Sequence, residues 1–460
     1  MTNTVKQTAD VAGPISGGRH GWPFAAALRD VDSYGYDEIE YFLEGTAQHY
    51  RDVNQSQSRR DGHWQAEVVG EQAFKTRFIV YRPKDPKNFN GTVMLTWNNV
   101  TAGYDLFGAE SLELLEGGFA LVCLTTQKVG IDGLPPVNQG LASWDPERYG
   151  DLAIPTDDCS YDIFTQAALA VGPERDNAVD PMAGLEVKHV VAYGASQSAG
   201  RLATYINAIQ PITRALDGFI LAIYFGRGTP IEVGDEVVNI NATGGDAPKN
   251  RLMGENLLRD DLSVPIFVVN SELEAIACFG VRQEDSDTFR YWESAGTCHV
   301  SQQIQVTRQA MQKRDQIKGR AQPEGINGIP MGLLYDAVFY HMHRWLNDNI
   351  LPPSQPKIEF TDEGEVVRDE HGIAVAGIRL PQVVAPLATN SAIPKAEGIF
   401  ALLDGSSYPF DEKKVRALYQ DRETFLDKFE AAALDAVVNQ VLRPRDVQDL
   451  IEEAKASWPL

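Results

Sequence analysis

A serine hydroxyl becomes a useful nucleophile only when a base takes its proton, and that base needs an acid to orient it. The sequence offers these parts in the chain order serine, acid, histidine. The first part is Gly194-Ala195-Ser196-Gln197-Ser198-Ala199-Gly200, which matches the nucleophile-elbow pattern G-x-S-x-G except that Ser198 stands at the last glycine position. The pattern encodes a very tight strand-to-helix turn, whose apex needs small neighbours; serine is small. The other Gly-x-Ser string, Gly405-Ser406-Ser407, has no strand leading in and is followed by Pro409. The alternative reading of Ser196 is a helix N-cap.

The acid is expected just past the apolar run Pro265-Ile-Phe-Val-Val269, where the chain reads Asn270-Ser-Glu-Leu-Glu274. Glu274 falls at the usual place, and Glu272, two residues earlier, is the alternative. His299 follows in Ser294-Ala-Gly-Thr-Cys-His299. Of eight histidines it alone combines the right chain order with a loop setting. His20, His49 and His63 precede the sheet, His189 sits in a strand, His341 and His343 sit on a helix, and His371 lies far downstream. An oxyanion hole needs two donors. The backbone N–H of Gln197 is one candidate, and the turn at Asn98-Asn99-Val100 supplies the other, from Asn99 or Val100. Asn99-Val-Thr101 also spells a glycosylation sequon, but a glycan there would block the site.

The elements needed to position these groups are legible. Ile39–Leu43 and Phe74–Tyr81 read as strands of an antiparallel opening over 36–82. Beyond it, strand and helix alternate. Strands are expected at 92–97, 120–125, 187–193, 219–224 and 265–269, with 289–293 the last. Helices are expected at 109–116, 160–170, 198–209 and 333–347. This alternation implies an α/β fold with a mostly parallel central sheet flanked by helices. Gly-, Pro-, Asp- and Asn-rich stretches at about 127–158, 226–262 and 300–330 read as cap or lid insertions. The expected division is a catalytic domain over 1–350 and an extension over 351–460 packed on its core. That extension opens with Pro352-Pro353 and carries an apolar helical stripe over 412–441, and Asp446 is the expected N-cap of a final helix.

Bulk properties exclude other classes. Lys plus Arg number 41 against 64 Asp plus Glu, a formal net charge of −23, and no basic cluster offers a nucleic-acid face. No apolar run approaches the roughly 20 residues of a membrane span, and the polar N-terminus lacks a signal-peptide core. A cytoplasmic protein with no membrane partner is therefore expected. The four cysteines, Cys123, Cys159, Cys278 and Cys298, are scattered and read as buried free thiols. There is no phosphate-binding G-x-x-x-x-G-K-[ST] loop, no G-x-G-x-x-G turn and no H-E-x-x-H helix. His341 and His343, two apart on a helix, diverge too far to share a metal.

Arg19-His-Gly-Trp-Pro-Phe24, Asn99-Val-Thr101, Gln127-Lys-Val-Gly130, Asp145-Pro-Glu-Arg-Tyr-Gly150, Ser160-Tyr-Asp-Ile-Phe164, Ser196-Gln-Ser-Ala-Gly-Arg-Leu202, Tyr205-Ile-Asn-Ala208 and Ala295-Gly-Thr-Cys-His299 together resemble the bacterial alpha/beta hydrolase domain family whose elbow reads G-x-S-Q-S-A. The resemblance runs from about residue 19 to the C-terminal helices. It implies the α/β-hydrolase fold, with Ser196 as nucleophile and His299 as base. The family tends to show T-E-T-D after the acid-bearing strand, where this chain has Ser271-Glu-Leu-Glu274. The expected activity is hydrolysis of a small-molecule carboxylic ester through an acyl-enzyme, with no metal or organic cofactor. A thioesterase, lactonase, amidase or acyltransferase would use the same triad. A non-catalytic binding protein on this scaffold is the alternative from another class.

Overall fold

In a computed structural model of the chain, a short strand, β1 (Asp10–Ala12), lies on the outer side of a long antiparallel pair, β2 (Tyr36–Asp52) and β3 (Ala66–Pro83). Both long strands extend well past the apolar cores that mark them in the sequence. Next come β4 (Thr92–Trp97), β5 (Ala120–Leu124), β6 (His189–Ala195) and β7 (Gly218–Ala222). The spatial order of these seven is β1-β2-β3-β5-β4-β6-β7, and β5, β4, β6 and β7 run parallel to one another. Every residue of β4, β5 and β7 is buried, which is why these segments read as continuous apolar runs. The structure describes residues 9–106, 111–234, 254–319, 324–394 and 399–460.

The seven strands belong to a unit formed by Met1–Ile266 with Arg314–Lys318, and a second unit comprises Phe267–Lys313 with Gly319–Leu460. The composition break after residue 350 is internal to the second unit. In the first unit, 127–158 holds three short helices, Lys128–Asp132, Leu141–Trp144 and Pro146–Tyr149. The middle of the 226–262 stretch, residues 320–323 of the 300–330 stretch and the start of the helix expected over 109–116 lie outside the described residues. The helix expected at 198–209 is α-helical only over Gln197–Thr204, then widens to a π turn at Tyr205–Ile209. Pro211 explains the position of that turn, because it has no N–H to give the carbonyl four residues back.

In the second unit β8 (Ile266–Ser271) neighbours β9 (Phe289–Ser294). The expected helix near 333–347 spans Gly332–Asp348. Contrary to the expectation that β9 ends the strands, two more pair antiparallel downstream, β10 (Ala388–Ser391) and β11 (Ser406–Pro409). Ala-Thr-Asn-Ser and Ser-Ser-Tyr-Pro carry no apolar alternation to announce them. The 412–441 stripe is two helices, Glu412–Tyr419 and Arg422–Val438, because Asp421 caps the second by accepting from Thr424 N at 2.8 Å. Val415, Tyr419, Phe425, Phe429 and Ala433 are buried, as a packing face requires. Asp446 precedes the final helix, Val447–Ser457, but makes no capping hydrogen bond, since it ends a 3-10 turn and is already helical. Its carboxyl is partly buried beside Asp336, which together push its pKa up to about 6. Among the described residues no helix is long and apolar enough to cross a membrane.

A buried charge network ties the first unit together. Arg77 on β3, 1% exposed at its side chain, reaches Glu40 at 3.3 Å and Asp105 at 2.8 Å, and donates to the Phe24 carbonyl at 2.9 Å. Arg148 and the Tyr149 hydroxyl complete the Glu40 carboxylate at 2.6 and 2.9 Å. Asp145 accepts from Arg19 N at 2.7 Å. The motifs Arg19–Phe24 and Asp145–Gly150 are thus joined in one assembly, with Phe24, Asp145, Arg148 and Tyr149 buried and Arg19 and Glu147 exposed. Burial acts to lower the Arg77 pKa, but Asp105, Tyr149 and Glu40 outweigh it and raise it. Removing one partner of such a pair leaves an uncompensated buried charge. Arg77→Met is therefore expected to destabilise the protein by about 3–5 kcal/mol. Denaturant unfolding checks this, and an unchanged midpoint refutes it.

Candidate active site

β6 brings the chain up to Ser196 through buried, mainly apolar residues. At Ser196 the backbone turns with φ 62° and ψ −118°, a strained combination for a residue with a Cβ, and the helix Gln197–Thr204 begins at once. The turn is pinned at both ends. Ser196 N donates to the Ala222 carbonyl on β7 at 3.0 Å, and Gly200 N to the Ser196 carbonyl at 3.1 Å. Gly194 has to be glycine, because a Cβ there would sit 2.8 Å from the Ser198 carbonyl oxygen and 2.9 Å from Leu202 Cδ1. Ser198, at the position where the pattern has its last glycine, is fully buried. The Ser196 side chain makes no capping hydrogen bond, so the N-cap reading does not describe it.

The turn after β4 is laced to this elbow in both directions. Asn99 Nδ2 donates to the Ala195 carbonyl at 3.1 Å, and Val100 N donates to Gln197 Oε1 at 3.3 Å. The Thr101 hydroxyl meets the same oxygen at 3.4 Å. The Val100 N–H is thereby engaged by a side chain. Behind the loop, Asn98 Nδ2 donates to Asp105 at 3.3 Å, which links it to the Arg77 network.

Sequence reasoning missed a further tie. Arg201, five residues past Ser196, is fully buried and pairs with Asp157 at 2.9 Å. Asp157 also accepts from Gln127 Nε2 at 3.1 Å and Lys128 N at 2.9 Å. Gln127 in turn receives Trp97 Nε1 at 3.2 Å. The elbow helix is thus bolted to the loops that follow β4 and β5. The signal was present in Gln127–Gly130 and in the arginine of the elbow motif, but no local rule pairs them with Asp157.

In the second unit, the helix Glu272–Ala277 starts directly after β8. Ser271 and Glu274 form a reciprocal capping box, with Glu274 Oε2 taking the Ser271 hydroxyl and also its N–H at 3.3 Å. The other oxygen, Oε1, lies 2.7 Å from His299 Nδ1. Both side chains are almost completely buried, at 0% and 4% exposure. Glu272 is equally buried but turned elsewhere: it accepts from Gly296 N at 2.8 Å and Arg368 at 2.7 Å. Within the first unit the structure therefore brings together Ser196, Gln197, Asn99 and Val100. Within the second it brings together Glu274 and His299, but not Glu272 and His299.

Cys298 and His341 are poorly suited to chemistry. Burial, with Glu274 next, holds the Cys298 thiol well above its ordinary pKa, so it stays protonated. All four cysteines are buried, and none is in a disulfide. Burial pushes His341 down to about 4, and its ring meets the Gln440 carbonyl at 2.8 Å. Among the described residues no group of three or more His, Cys, Asp or Glu is arranged to hold a metal ion.

No curated protein matches the chain. The solved structures it is similar to include the following three, all at low identity. One of two prolyl endopeptidases is 12% identical, covers 56% of this chain and 40% of its own, and has a TM-score of 0.27. Brefeldin A esterase, described as a bacterial homologue of human hormone sensitive lipase, is 13% identical with coverages of 61% and 80% and a TM-score of 0.28. An acetyl xylan esterase from Paenibacillus sp. R4 is 13% identical with coverages of 44% and 56% and a TM-score of 0.23. The chain thus spans less than two thirds of the length of the first and third. A family model described as alpha/beta hydrolase domain matches residues 11–452. With nearly its whole length matched, the chain belongs to the alpha/beta hydrolase domain family.

Proposed function

We propose that this hydrolase is a serine esterase that cleaves small-molecule carboxylic esters through an acyl-enzyme, with Ser196 as nucleophile, His299 as base and Glu274 as acid. The observation that carries the reading is the buried Glu274–His299 hydrogen bond at 2.7 Å. In the proposed triad Glu274 is the acceptor, so a neutral His299 carries its proton on Nδ1 and its basic lone pair on Nε2. That is the tautomer a base for a serine hydroxyl requires. The strained backbone of Ser196 supports its part, because such strain persists where surrounding structure fixes it and it presents the hydroxyl at the apex of the turn.

In the proposed reaction, His299 takes the Ser196 proton as Oγ attacks the ester carbonyl. The negative charge that develops on the carbonyl oxygen is held by the Gln197 N–H and a second donor. The backbone N–H of Asn99 is assigned that second place ahead of that of Val100, which is already given to the Gln197 side chain. Collapse expels the alcohol, protonated by His299, and leaves the acyl group on Ser196. Water, activated by the same imidazole, then releases the acid. Glu274 stays ionised and stabilises the imidazolium formed in each half. These steps use the chain's own residues alone.

Labelling with a fluorophosphonate probe tests the nucleophile: wild type is expected to label, and Ser196→Ala to lose both labelling and p-nitrophenyl ester turnover by roughly 10³-fold or more. Turnover retained by the folded Ser196→Ala variant would sink the reading. For the acid, Glu274→Gln is expected to lower kcat by about 10³- to 10⁴-fold, because the amide can impose the wrong tautomer on His299. Glu272→Gln should lower it far less; equal losses would overturn the choice of Glu274. A panel of p-nitrophenyl esters, acyl-CoAs and amides tests the substrate class. The highest kcat/KM is expected on the esters, and a higher value on another group would reassign it.

A further inference from the structure

Glu272 is a fully buried carboxylate that the proposed reaction leaves unused. Its surroundings show what it holds. Oε2 accepts the backbone N–H of Gly296 at 2.8 Å, and Oε1 accepts Arg368 Nη2 at 2.7 Å and the Ala392 N–H at 3.4 Å. Its own N–H goes to Thr297 Oγ1 at 3.3 Å, and Thr297 donates onward to the Ser294 carbonyl at 2.7 Å. Gly296 and Thr297 lie in the turn that leads to His299. Gly296 has φ 69°, and a Cβ there would press on Val383 at 3.2 Å and Ile329 at 3.3 Å, so its conformation is both left-handed and enclosed. On the other side of the glycine, its carbonyl accepts from Asn327 Nδ2 at 2.7 Å.

We infer that Glu272 is a positioning residue for His299: it fixes the turn at Gly296-Thr297 from one side while Glu274, two residues along the same helix, orients the imidazole from the other. A carboxylate on a backbone N–H is a charge-assisted bond, stronger than the neutral one an amide would make. Burying that second carboxylate beside Glu274 requires a counter-charge, and Arg368, brought in by the segment after residue 350, supplies it. The division of labour follows from helix geometry. Side chains at i and i+2 point to different sides of a helix, so one carboxylate faces the ring and the other faces the turn. Loss of Glu272 leaves the buried Gly296 N–H without its acceptor and lets the turn shift, and a displacement of about 1 Å in a reacting group costs on the order of 100-fold in rate.

This inference rests on Ser196 and His299 acting as proposed, so the wild type and Ser196→Ala serve as controls for that reading. The measurement is kcat on p-nitrophenyl acetate per active site, with sites counted by fluorophosphonate titration. Glu272→Ala is expected to lower kcat per titrated site roughly 10- to 100-fold, with KM changed less than about threefold. In Glu272→Gln the amide turns its oxygen to Arg368 and its NH₂ group to Gly296, so a loss of similar kind is expected. An effect confined to thermal stability or to the number of titrated sites, with kcat per site unchanged, overturns the proposal. Should Glu272→Ala fail to fold, Glu272→Gln decides: a kcat per titrated site equal to that of wild type refutes it. A wild type that does not label defeats the serine reading itself, and this proposal with it.

Discussion

The backbone of Ser196 is the constraint on which the first unit turns. A residue with a Cβ held at φ 62° and ψ −118° costs of order 1–3 kcal/mol, and it stays there only if its surroundings determine it several times over. They do. β6 lies between β4 and β7, the Ala222 carbonyl takes the Ser196 N–H, and Gly194 lets the helix pack tightly over the strand. Arg201 fastens the same helix to Asp157 and, through it, to Gln127 and Lys128 in the loop beyond β5. The reciprocal ties through Asn99 and Gln197 then set the loop facing the apex. Few of these contacts touch a reacting atom, yet each narrows where the Ser196 hydroxyl can be.

Buried charge serves the same end in both units. Arg77, Arg148 and Arg201 each sit within reach of one or two carboxylates at almost no exposure. Such pairs rarely add much net stability, since desolvation offsets most of the attraction. Their value is directional: a guanidinium with fixed partners tolerates little displacement of the loops that carry them. In the second unit Glu272 and Arg368 use this logic on a turn, and Ser271 with Glu274 uses a helix cap. Glu274 gives one oxygen to its own helix start and the other to His299, so its aim is set before the imidazole arrives.

What could be read from the sequence was what depends on neighbours along the chain. β4 and β5 are short apolar runs with clear ends. The elbow is a strand, a small-residue turn and a helix within about a dozen residues. His299 stood out by order and setting. What stayed hidden depends on distant partners. Two glutamates separated by one residue have the same composition and the same helix, and only the facing elements distinguish the one that meets His299 from the one that meets Gly296. The Arg77 and Arg201 pairings join residues too far apart in sequence for any spacing rule. β10 and β11 lack an apolar pattern because they are four residues each and only partly buried. Asp446 does occupy the N-cap position of the final helix but makes no cap bond, because the preceding 3-10 turn has already made its backbone helical.

The pins on the His299 turn have an implication for how the protein comes into being. Arg368 lies 96 residues beyond Glu272, and Asp404, which accepts from Gln305, lies 99 residues beyond that partner. The Leu403 carbonyl takes Val300 N, next to the histidine itself. A ribosome makes Ser196, Glu274 and His299 first and these clamps long afterwards. During synthesis, then, Ser196, Glu274 and His299 are all made before the residues that clamp the turn leading to His299, and that turn takes its final set of contacts only after the segment beyond residue 400 exists.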